Sequence, residues 1–188
     1  MKQTILFNFS PFPNLETERL ILRQPIATDD EAYFRIRSNT EVNKYIGRDN
    51  YKNIAQAQEF ITRINNNIIE NDSVFWTMEL KLTHQVIGTI CLWNLSIEEN
   101  SAEIGYEMHP DFHGLGYMQE AIKVVIEYGF KSMNVQNIYG VPSINNTKSV
   151  KILESFGFTR DIEAEKTMLR VDEIGVQVYY VLKNNINI

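Results

Sequence analysis

Residues 102–121 read AEIGYEMHPDFHGLGYMQEA: a run with strand character, a short loop, and a helix that opens immediately after two glycines. Gly114 and Gly116 let a backbone approach a ligand closely, because neither carries a Cβ. The helix that follows offers unpaired N–H groups and the positive end of its dipole. Together these make an anion site of the pyrophosphate type. A tight turn with no ligand would use the same glycines, so the neighbouring segments have to decide.

Upstream, residues 74–80 and 86–93 are rich in branched and aromatic side chains and flank a polar turn, which predicts an antiparallel hairpin leading into the strand at 102–108. Before the hairpin, Ile54, Ala57, Ile61, Ile64 and Ile68 recur at steps of three and four, the spacing of an amphipathic helix. Residues 19–23 alternate charged ends with Leu20 and Leu22 and predict a first strand. Thr28 and Glu31 have the spacing of a capping box, so another helix is expected to start there.

Downstream, Met118, Ala121, Ile122, Val125 and Ile126 form the apolar stripe of the helix at 116–130. A short strand at 138–141 stops at Pro142, which cannot donate to a ladder. A further helix starts near Asn146, buries Val150, Leu153 and Phe156, and ends at Gly157. Two last strands are expected at 158–169 and 176–182. The order β-α-α-β-β-β-α-β-α-β-β predicts an α+β fold in three layers, a mixed sheet of about seven strands with four helices.

The 188 residues, 44% hydrophobic and 22% charged, suit one domain over residues 1–188, with residues 1–14 as an arm packed on it or on a neighbouring subunit. A homodimer is left open. The formal charge of −6 argues against a general binder of nucleic-acid backbones. No apolar run is long enough for a bilayer, and the short run Ile5-Leu6-Phe7 is too brief for a secretory segment, so a cytoplasmic protein without a membrane partner is expected. Cys91 has no second cysteine to pair with and reads as a buried thiol.

The loop resembles the acetyl-CoA loop of the GNAT acetyltransferase superfamily, whose pattern is Q/R-x-x-G-x-G/A. His113, Gly114, Leu115, Gly116, Tyr117 and Met118 occupy it, with His113 in place of Gln or Arg and Met118 in place of the small last residue. Residues 15–23, LETERLILR, are similar to the first strand of the branch containing the ribosomal-protein α-N-acetyltransferases. Asn146, Ser149, Leu153, Glu154, Gly157 and Phe158 resemble that branch's N-x-x-S and L-E-x-x-G-F signature. The resemblance runs from about residue 15 to residue 182.

It implies a mostly antiparallel sheet that splays between the strand ending near Met108 and the strand ending near Val141. The pantetheine arm of acetyl-CoA would lie in that gap, bonded to the backbone of Tyr106, Glu107 and Met108. A main-chain N–H there would face the developing oxyanion, and Asn146 would bond the cofactor arm or cap its helix. No metal is implied.

The acceptor is then a primary amine, on a small molecule or at a protein N-terminus. Such amines have pKa values of ~10.4 (lysine type) or ~7.7–8.0 (α-amine), so transfer benefits from a base. Glu103 is the first candidate, and Glu107, on the same face of the strand, is the second; a solvated strand carboxylate is the plain alternative. Many GNAT enzymes protonate the leaving thiolate from a helix tyrosine, but Leu153 holds that place here and Ser149 is the remaining donor. Some relatives of the ribosomal branch add a carboxylate where this chain has Met168, with Glu163, Glu165 and Asp172 nearby. Tyr45, Trp76, Trp93, Tyr179 and Tyr180 are candidates to shape the acceptor side, with core packing as the alternative for each. A noncatalytic acetyl-CoA-binding module stays open beside the enzyme.

Overall fold

The structure is a computed structural model that describes residues 7–167, 171–172 and 175–184. It begins with β1 (Leu15–Glu16) and β2 (Leu20–Arg23), where Leu20 and Leu22 are buried and their neighbours half-buried, the alternation expected of a one-faced strand. A 3-10 turn over Ala27–Asp29 leads into α1 (Asp30–Arg37), then α2 (Thr40–Asn43) and α3 (Ile54–Ile69).

The expected capping box at Thr28 and Glu31 does not form. Asp29 takes its place: the carboxylate accepts the Ile26 N–H at 2.9 Å and two bonds of 2.8 Å from Arg23. Helix α3 starts on Asn53, whose side chain accepts the Gln56 N–H at 3.2 Å, and buries Ala57, Phe60, Ile61, Ile64 and Ile68.

The strands β3 (Val74–Leu80), β4 (Val86–Ser96) and β5 (Ser101–Met108) form the expected antiparallel meander. Next come α4 (Tyr117–Lys131), β6 (Asn137–Gly140) and α5 (Thr147–Ser155), which ends at Gly157 with φ of 84°. The strand expected at 158–169 is only β7 (Thr159–Arg160), followed by α6 (Ile162–Thr167). Asp161 explains the change, because its carboxylate accepts the Ala164 N–H at 3.0 Å and caps a helix; residues 168 and 169 lie outside the described ones.

The strand expected at 176–182 is also divided. Gly175–Val176 (β9) pairs with Val171–Asp172 (β8) as a small ribbon, and Tyr180–Lys183 (β10) joins the main sheet. The sheet order is β1-β2-β3-β4-β5-β6-β10-β7, so the described residues hold eight strands in one sheet where about seven were expected, and six helices where four were expected. The additions are short pieces around the expected scaffold.

Strand alternation assigns the layers. Trp76, opposite Ile90, meets the Tyr128 ring of α4 edge-on, with centroids 5.4 Å apart, whereas Phe75 on the other face meets Phe60 of α3 at 5.6 Å. Helices therefore cover both faces of the sheet. The described part of the arm packs on this core: Phe9 is buried and bonds to Asn71 Oδ1 at 2.8 Å, and Trp76 Nε1 donates to the Pro13 carbonyl at 2.6 Å. No helix among the described residues is long and apolar enough to cross a membrane.

The feature that positions the site is the parallel pair β5–β6. It is registered only over Ser101–Asn137, Ala102–Ile138 and Glu103–Tyr139. Beyond Glu103 the two strands part, while β5 remains paired to β4 as far as Met108.

Candidate active site

The fork leaves the β6-side edge of β5 without a strand partner past Glu103 among the described residues. Two chambers, of about 460 and 590 Å³, open there. Both are lined by Tyr45, Ile46, Tyr106, Glu107, Asn146 and Ser149, so they are parts of one groove.

The larger chamber gathers most of the expected cofactor residues: Tyr106, Glu107, Met108, His113, Gly114, Gly116, Met118 and Asn146 all line it. Gly114 and Gly116 have φ of 76° and 83°, a conformation that L side chains rarely adopt, and Gly116 sits directly before the first turn of α4. His113 Nε2 donates to the Met108 carbonyl at 3.0 Å, which ties the loop back to β5.

Leu115 and Tyr117 do not line the chamber. They hold the loop from behind: Arg19 Nη2 donates to the Leu115 carbonyl at 2.9 Å, and its guanidinium lies 4.3 Å from the centre of the Tyr117 ring. Glu120 of α4 accepts from Thr17 at 2.6 Å and from Arg19 Nε at 2.5 Å. Lys148 and Lys151 of α5 line the same chamber as Gly114 and Gly116 and bring positive charge that the glycine motif does not reveal.

The smaller chamber contains Glu103 and Trp93 with Arg37 and Arg48. Glu103 is buried at the last paired residue of the fork, and Asn94 Nδ2 donates to its Oε2 at 3.3 Å. Glu107 is held differently. Arg37 Nε donates to Oε1 at 2.8 Å, Arg48 Nη2 lies 2.6 Å from Oε2, and the Thr89 hydroxyl is 3.4 Å from Oε1. Burial acts to raise the Glu107 pKa, but the two guanidiniums outweigh it and hold the carboxyl below its ordinary value. Glu107 is a fixed anion, poorly suited to take a proton.

Ser149 lies in the first turn of α5, where Asn146 Oδ1 accepts its N–H at 3.2 Å, so Asn146 acts as the helix cap. Its hydroxyl is 2.8 Å from the Tyr106 hydroxyl. Leu153 is buried against β6, so close that a Cβ on Gly140 would meet its Cδ1 at 2.7 Å. No hydroxyl stands at that helix position.

Among the aromatic candidates, Tyr45 and Trp93 line the groove, and Trp93 is 42% exposed. Trp76, Tyr179 and Tyr180 are buried and line neither chamber. Glu163 pairs with Lys166 and Glu165 with Arg160 on the α6 side; neither lines the groove, and Met168 lies outside the described residues. Burial pushes the Cys91 thiol up to about 12, which makes it a poor nucleophile.

Residues 19–159 match the acetyltransferase (GNAT) domain family, and the chain belongs to it. It is 37% identical to the uncharacterized N-acetyltransferase YoaA of Bacillus subtilis over 150 residues, covering 80% of this chain and 85% of the relative. It is 35% identical to the uncharacterized N-acetyltransferase p20 of Bacillus licheniformis over 175 residues, 90% of this chain and 96% of the relative. The fold is that of spermidine N-acetyltransferase from Vibrio cholerae in complex with CoA and spermine (TM-score 0.74, 20% identity, 89% of this chain and 96% of that one). A ribosomal-protein alanine acetyltransferase from Vibrio fischeri shares it as well (TM-score 0.78, 17% identity, 93% and 98%). The protein is a GNAT-fold N-acetyltransferase.

Proposed function

We propose that the chain transfers an acetyl group from acetyl-CoA to a primary amine, on a small molecule or at a protein N-terminus, by direct attack in a ternary complex. The observation that carries this is the fork: a free strand edge with a glycine loop and helix N-terminus at one end and a carboxylate-bearing chamber at the other. Such an edge can bond an extended amide-containing arm as a strand would. The α4 N-terminus behind Gly116 suits a pyrophosphate, and Lys148 and Lys151 suit further phosphate charge. Bound acetyl-CoA would supply an activated thioester carbonyl.

In this reading, the backbone of Tyr106, Glu107 and Met108 lines up the cofactor arm, and an N–H of that edge faces the carbonyl oxygen as it gains charge. Glu103 takes the amine proton, because Glu107 is already held between Arg37 and Arg48. Ser149 offers its hydroxyl to the leaving sulfur. Tyr45 and Trp93 border the acceptor. Likeness both to polyamine and to ribosomal-protein enzymes supports an amine acceptor of either kind, with the signature at Asn146 and Ser149 favouring the ribosomal branch. A cytoplasmic setting suits the buried, unpaired Cys91.

Thermal melting tests the cofactor. Acetyl-CoA is expected to raise the melting temperature and NAD to leave it unchanged; equal shifts, or none, would remove the assignment.

A further inference from the structure

The hydroxyl pair at the centre of the groove has a polarity that the acetyl-transfer reading leaves undetermined. Tyr106 comes from β5 and Ser149 from α5, their oxygens are 2.8 Å apart, and both residues line both chambers. Among the described residues each hydroxyl is the other's one hydrogen-bond partner. Two hydrogens are therefore available for one bond, and one O–H is left over.

Chemistry decides which. A phenol is the stronger acid and stronger donor, and an alkanol oxygen is the better acceptor. A helix serine commonly turns its hydrogen back to a carbonyl of the preceding turn. Here Ser149 makes no such bond, its N–H is capped by Asn146, and its oxygen faces Tyr106. Burial, only partly offset by the bond to Ser149, pushes the Tyr106 phenol up to about 12, so it keeps its proton throughout the working range.

We propose that Tyr106 is a positioning residue: its phenol donates to Ser149 Oγ and thereby directs the serine hydrogen into the groove, toward the sulfur that leaves the acetyl thioester. This rests on the acetyl-transfer reading. The balance is simple. The amine nitrogen bonds to the carbonyl carbon, and the C–S bond breaks with its electron pair on sulfur. The amine proton passes to Glu103 and from it to solvent, and the released thiolate takes a proton from solvent. Tyr106 and Ser149 lose no proton; they stabilise the sulfur while its charge is largest. The pair thus occupies the place of the hydroxyl that Leu153 lacks.

The test compares Tyr106→Phe, Ser149→Ala and the double variant for kcat, acetyl-CoA affinity and melting temperature. Tyr106→Phe is expected to lower kcat about tenfold, because the serine hydrogen is no longer directed at the charged sulfur and that one hydrogen bond is lost, with acetyl-CoA affinity and melting temperature unchanged. Ser149→Ala is expected to lose at least as much, and the double variant no more than Ser149→Ala, because the phenol acts only through the serine. Ser149→Thr, which keeps a hydroxyl, should recover most of the rate. A Tyr106→Phe enzyme with unchanged kcat, or losses that multiply in the double variant, overturns the proposal. A wild-type protein that binds acetyl-CoA but acetylates no amine overturns the underlying reading, and does so before any substitution is made.

Discussion

The two chambers of the groove are built from different materials. On the α4 side, contact would come mainly from main-chain groups: a free strand edge, two glycines in left-handed conformation and a helix N-terminus. On the α1 side, charged side chains restrain one another, with Glu107 caught between Arg37 and Arg48, and Glu103 accepting from Asn94. Backbone recognition tolerates substitution of neighbouring side chains but not of conformation. The side-chain chamber has the opposite sensitivity.

The largest effect should come from breaking the buried clamp. Arg37→Met leaves Glu107 with one guanidinium and is expected to destabilise the fold by about 3–5 kcal/mol. That corresponds to a melting-temperature drop of roughly 6–20 °C for a chain of this size. Calorimetry at several pH values sharpens the assignment. Because the folded-state pKa of Glu107 lies below its ordinary value of 4.5, its contribution is full above that pH and is lost as pH falls through the folded pKa. Wild type and Arg37→Met should thus differ most near neutrality and converge in acid.

Next in size is Glu103→Gln, expected to lower the acetylation rate about 100-fold near pH 7. The deficit should shrink as pH rises and more amine is neutral without help. Acetyl-CoA affinity should hold. Wild-type rates across the pH range would take Glu103 out of the mechanism.

Gly116→Val probes the backbone chamber. It places a branched side chain at φ of 83° with its Cβ 3.1 Å from Arg19 Nη2. Acetyl-CoA affinity is expected to fall roughly 10–100-fold by titration calorimetry. His113→Ala, which removes a tether but no main-chain donor, should cost only a few-fold.

The same contrast governs what could be read in advance. The glycine loop, the strand before it and the helix after it are contiguous, so the spacing of Gly114 and Gly116 carried the information. The fork and Asn146 followed from the family resemblance. Arg37, Arg48 and Tyr106's hydroxyl partner were not legible, because their meeting depends on how α1, β5 and α5 pack, and no local period encodes it. Helix α6 was a different kind of miss. Asp161 before Ile162 and the Glu163–Lys166 spacing were both visible helix signals, masked by the branched and aromatic residues around them.

The most direct measurement follows thiol release from acetyl-CoA by the wild-type protein against a panel of primary amines and N-terminal peptides, with the acetylated product identified by mass. Release that depends on the amine and matches the N-acetyl product one for one is expected. Saturable acetyl-CoA binding without amine-dependent release for any member of the panel would contradict catalysis and leave a noncatalytic binding module.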